Sequence, residues 1–72
     1  MIVLTRLNQV RFAVNPDLIE RVQESPDTTL VLVDGATFVV AESMDAVIGL
    51  VVDFRARVLA TAADLRTTED EH

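Results

Sequence analysis

The chain has no cysteine, tryptophan, tyrosine or lysine, and only two glycines and two prolines among its 72 residues. Without cysteine, neither a disulfide nor a thiolate metal site can staple the fold. Gly35 and Gly49 alone cannot build a glycine-rich loop that cradles phosphate. Because lysine is missing, all six basic residues are arginines, and they face 12 acidic residues for a net charge of -6. Nucleic-acid affinity comes largely from neutralising phosphates, so this field opposes RNA, DNA and anionic lipid surfaces. Long hydrophobic runs are absent too: the stretch from Ala46 to Val52 is far shorter than the ~20 residues a membrane helix needs. The first residues show neither the basic start nor the apolar core of a signal peptide. The expectation is a cytoplasmic chain without membrane insertion.

What is present is aliphatic. Half of the residues are hydrophobic, only three of them Phe, so the core must be built from Val, Leu, Ile and Ala. A chain of this length forms one domain and buries only about 60% of the surface its unfolded form exposes. The aliphatic content exceeds what one small core can hold, which points to self-association as a homo-oligomer.

The first 42 residues follow a period near two and the rest a helical period, with the break at Glu42-Ser43. In IVLTRLNQVRFAV, Ile2 and Leu4 alternate with Val3 and Thr5, and Val10, Phe12 and Val14 alternate with Arg11 and Ala13. These are two half-buried strands with a hairpin turn at Asn8-Gln9. Asn15-Pro16 ends the pairing, because proline has no amide hydrogen and biases its predecessor to extended backbone. The apolar spacing in LIERVQES fits a short turn at Pro16 to Leu18 leading into a bulged strand. After a turn at Ser25-Pro26-Asp27, TTLVLV is a strand apolar on both faces and so covered on both. Asp34-Gly35 predicts a two-residue type I′ turn into the strand TFVVA.

Ser43 is the expected cap of a helix from Met44 to Leu59 or beyond, with Asp45 suiting the positive end of its dipole. Met44, Val47, Ile48, Val51, Val58, Leu59 and Ala62 share one face, widened by Leu50, Val52 and Phe54 to about half the circumference. One small sheet cannot cover so wide a face. Asp53 and Arg57 on the other side are spaced for an i,i+4 pair. The reading is an α+β fold: a small antiparallel sheet or open barrel of four to five strands, then one long C-terminal helix. It is one domain over residues 1–66, and residues 67–72, TTEDEH, are expected to be a disordered acidic tail.

The densest cluster of polar groups is NPDLIE, with Asn15, Asp17 and Glu20. As an acid-base pair, Asp17 and Glu20 need burial and a pocket. As a turn, Asn15 and Asp17 satisfy backbone groups around Pro16, which is the habit of these residue types. His72 stands among Glu69, Asp70 and Glu71, and Ser25 and Ser43 lack a base. No catalysis, cofactor or metal is expected. Arg55 falls at the centre of the helix's apolar face. Either its methylenes cover apolar surface while the head reaches water, or it makes an ion pair across an interface. The expected interaction residues are Leu50, Val51, Phe54, Arg55 and Val58 on the helix, and Arg6 and Asn8 at a strand edge.

The segments IVLTRLN, NPDLIE, PDT, LVLVDG and VVAES, in this order before a helix, resemble the flagellar FlbD family, also called the swarming motility protein SwrD family. The resemblance covers about residues 1 to 58. It implies a small cytoplasmic protein of bacterial flagellar systems, at the flagellar base. It also implies support of the motor through protein contacts, with no catalytic residues. The chain departs from the family in carrying Asn8-Gln9 where Asn-Gly is common, and arginine or neutral residues where lysine is frequent. MIVLTR also resembles the opening of the carbon storage regulator family of small RNA-binding dimers, in which Arg6 would meet RNA. The net charge and the long apolar helix oppose that reading. A self-assembling module without a flagellar role is the other alternative.

Overall fold

A computed structural model describes residues 1–70, with side chains through residue 64. Five strands precede one helix: β1 (Ile2–Thr5), β2 (Arg11–Val14), a 3-10 turn (Pro16–Leu18), β3 (Ile19–Glu24), β4 (Thr28–Leu32), β5 (Thr37–Val40) and α1 (Met44–Asp70). This is the expected α+β arrangement, with the strands divided into two sheets and no closed barrel. β1 and β2 form one antiparallel sheet and β3-β4-β5 the other. They meet at an isolated Arg6↔Val40 bridge, reinforced by the Ala41 amide donating to the Thr5 carbonyl at 2.8 Å.

Register follows the alternation of the sequence. Ile2 pairs with Val14 and Leu4 with Phe12, which puts all four on one face. Ile2, Leu4 and Val14 are buried there with Leu30, Leu32, Val40 and the helical Val47. β4 is covered fully on one face, through Thr28, Leu30 and Leu32, while Thr29 and Val31 are half-buried. Expected coverage on both faces is therefore only partial, because α1 contributes a single fully buried side chain.

The Pro16–Leu18 turn and the bulged strand form as expected. Asn15 caps the turn, its Oδ1 accepting from the Asp17 amide at 3.0 Å and its carbonyl from the Leu18 amide. The register shift between Ile19 and Arg21 leaves Glu20 as the extra residue.

The hairpin expected at Asn8-Gln9 forms, and the one at Asp34-Gly35 differs from the two-residue turn expected there. Each is a three-residue loop of the same construction. In the first, the Gln9 amide donates to the Arg6 carbonyl and the Arg6 amide to the Val10 carbonyl. In the second, the Gly35 amide donates to the Leu32 carbonyl and the Leu32 amide to the Ala36 carbonyl. The third loop residue is left-handed in both, Gln9 at φ 74° and Gly35 at φ 90°. This is a turn followed by a one-residue bulge. The side chain at the middle position supports each loop: Asn8 Oδ1 accepts from Val10, and Asp34 Oδ1 from Ala36. That local bond favours a longer loop than the dipeptide alone suggests.

α1 begins where Ser43 Oγ accepts from the Ala46 amide at 3.1 Å. The Met44 amide donates to Glu24 Oε2 at 2.8 Å, so β3 also holds this end. Both acceptors suit the positive end of the helix dipole. The helix is 27 residues long, about 40 Å at 1.5 Å per residue. It runs well past Leu59, since no glycine or proline follows Gly49 to stop it. Residues 67 to 70 of the expected tail thus continue the helix, and Glu71 and His72 lie outside the described residues. The molecule spans 53 × 23 × 19 Å with a radius of gyration of 15.3 Å. A compact chain of this length has about 11 Å. The excess is the helix, which projects beyond the sheets.

Candidate interaction surfaces

Over its first three turns α1 lies on the sheets. Val47 is fully buried, and Leu50, Val51 and Phe54 are half-buried against the core. Beyond Phe54 the apolar stripe continues without a sheet beneath it. Val58 is 51% and Leu59 70% exposed, and Val52, on a neighbouring stripe, is 58% exposed. Of the expected apolar interaction residues on the helix, Leu50, Val51 and Phe54 pack partly buried against the core, and Val58 is exposed. Ile48, Val52 and Leu59, which the sequence places on the wide apolar face, are exposed as well. Where the helix leaves the sheets, Met1, Phe54, Arg57, Val58, Thr61 and Ala62 line an open groove of about 530 Å³.

Arg55 makes an ion pair within the chain. Its Nη2 lies 3.3 Å from Oδ1 of Asp17, with both side chains largely exposed. The NPDLIE segment is thus a capped turn whose aspartate reaches the helix, and Asp17 and Glu20 are both exposed. An exposed pair of this kind contributes about 0–1 kcal/mol. The expected Asp53–Arg57 ion pair does not form. Arg57 Nε instead approaches the Asp53 carbonyl oxygen at 3.5 Å, at the outer limit of a hydrogen bond.

The second surface lies at the junction of the two sheets. Alternation along β1 carries Arg6 to the face of Ile2 and Leu4, and Phe12 stands opposite Leu4. The Arg6 guanidinium carbon lies 5.2 Å from the centroid of Phe12 and 5.1 Å from that of Phe38, whose rings are 5.3 Å apart. These are cation–π distances. Sequence reading named Arg6 without its phenyl partners. The signal was there: Phe12 opposite Leu4, and Phe38 opposite Leu30 on a neighbouring strand. Asn8, also expected here, is committed to its own loop through Val10.

Glu42 fixes this junction. Its Oε1 accepts from the Thr5 amide at 2.9 Å. Burial pushes the Glu42 carboxyl up. The amides of Thr5 and of Glu42 itself, the Thr5 hydroxyl and the charge of Arg11 outweigh that push and hold it below the ordinary carboxylate value.

Among the described residues, no three His, Asp or Glu side chains come together to hold a metal ion. No described helix is long and apolar enough to cross a membrane. In comparisons with known proteins, the family model FlbD, described as flagellar and swarming motility proteins, matches residues 1–59. No curated protein and no solved structure matches the chain.

Proposed function

The chain belongs to the FlbD family of flagellar and swarming motility proteins, and from that membership we propose that it is a non-enzymatic accessory factor that supports the flagellar motor through protein contacts. It works in the cytoplasm at the flagellar base. The observation that gives this reading a physical means is the stretch of α1 just beyond Phe54, where Val58 and Leu59 stand exposed with no sheet beneath them. Apolar surface of this kind gains free energy only by meeting another surface. The groove beside Met1 offers the space for one. Self-association uses the same face: two copies meeting along Val58 and Leu59 would cover surface that one copy leaves in water. With 12 acidic residues against six arginines, neither copies nor partners are joined through nucleic acid.

Deletion of the gene in its source organism tests the proposal, with swimming and swarming measured beside electron microscopy of the filaments. Filaments of normal number and length that drive weak swimming and failed swarming are the expected result. Unimpaired motility overturns the role, and missing filaments would assign the protein to assembly rather than to motor support.

A further inference from the structure

The antiparallel pairing between the two sheets stops after one bridge. Had it continued past Arg6↔Val40, Leu7 and Asn8 would lie against Val39 and Phe38. Instead these residues, with Arg6 and Thr37, line an open wedge of about 330 Å³. One wall is the outer edge of β5. Among the described residues, Thr37, Phe38 and Val39 make no backbone bond beyond their ladder to β4. An unpaired edge of this kind can accept a strand from another chain.

At the foot of the wedge stands Arg6. Its guanidinium carbon lies 5.2 Å from the Phe12 ring centroid and 5.1 Å from that of Phe38, so the charge sits beside both rings. Among the described residues, Arg6 makes no ion pair with a carboxylate. This is an unpaired cation in a chain of net charge -6. The two ring contacts hold the charge in place before any ligand arrives, which reduces the side-chain freedom lost on binding a carboxylate.

We propose that this wedge binds an extended segment of a partner protein, added as a strand along the outer edge of β5, with one carboxylate of that segment held by Arg6. Leu7, Phe38 and Val39 supply apolar contacts for the alternate side chains, as strand addition requires. A phosphate could also meet a guanidinium. A nucleic acid, however, brings many charges into an acidic field, whereas a peptide with a single carboxylate brings one. The site lies away from the projecting half of α1 and stands or falls independently of it.

The test is an amide-shift titration of the full-length 15N-labelled chain with capped heptapeptides of alternating valine and threonine. One carries a central glutamate, one a glutamine in its place, and one the glutamate with alternate backbone nitrogens methylated. The glutamate peptide should shift Leu7, Asn8, Thr37 and Val39 and saturate at about tenfold lower concentration than the glutamine peptide, the gain of a charge-assisted over a neutral hydrogen bond. Methylation should abolish binding, because it removes the strand-pairing donors. R6Q should erase the preference for glutamate, and R6K, which keeps the charge but loses the planar fork, should retain part of it. Retention of the wild-type thermal midpoint by R6K guards against reading an unfolded wedge as lost binding. No shifts at millimolar peptide, shifts confined to α1, or equal binding of the glutamate and glutamine peptides would each overturn the proposal. So would tighter binding of a GGA-containing RNA hairpin at the same amides.

Discussion

At the residue scale, the two hairpin loops form a natural comparison. They share one construction, yet the left-handed position is Gly35 in one and Gln9 in the other. A side chain at positive φ costs about 1 kcal/mol or more relative to glycine. Part of that gain is lost to the freer unfolded chain. Gln9→Gly should therefore stabilise the fold by about 0.5–1 kcal/mol in urea titration, and a destabilised variant would show that the loop is not strained. Glu42 makes a second residue-scale prediction. Its carboxyl is held below the ordinary value in the fold, so its contribution is fully present above the unfolded carboxylate pKa of about 4.3. That contribution is lost as pH falls through the lower, folded value. Glu42→Gln should cost about 1–2 kcal/mol at pH 7 and flatten the loss of thermal midpoint below about pH 4.5. An unchanged acid slope would mean that other carboxylates govern it.

At the scale of elements, what the sequence reveals depends on whether the cause is local. The Asn15-Pro16 turn, the bulge after it and the Ser43 cap are each set by residues within a few positions of one another, and each is legible. The hairpin types are not, because the dipeptides Asn8-Gln9 and Asp34-Gly35 fit two loop lengths and the flanking register decides. Nor is the partner of Arg55, which sits 38 positions away at Asp17. The helix was legible in its start and its wide face, but alternation cannot say which part of that face the sheets cover. That division yields a contrast. Leu30 is fully buried in β4, and Leu30→Ala should destabilise by about 2–5 kcal/mol. Val58→Asp, on the open stretch of α1, should change stability by no more than about 0.5 kcal/mol. A large loss for Val58→Asp in dilute solution would place that side chain in the core of the monomer.

For the molecule as a whole, a core of seven buried aliphatic residues among those described supports a helix that outruns it. Small domains without disulfides or metals are often completed by a second surface. Sedimentation velocity over a hundredfold range of concentration should show mass rising above that of one chain, and Val58→Asp should return it to the monomer. A wild-type monomer throughout would leave the open face to a different partner alone. The sequence carried the family through short motifs spread over residues 1 to 58, and the family model matches residues 1–59. Val58 and Leu59 fall at the very end of that span, and their exposure is read from the geometry. The most direct measurement is swarm expansion by a deletion strain that expresses the Val58→Asp chain at wild-type level. If the open face of α1 is the working surface, this folded protein will fail to restore swarming where the wild-type chain succeeds. Full restoration would contradict the account.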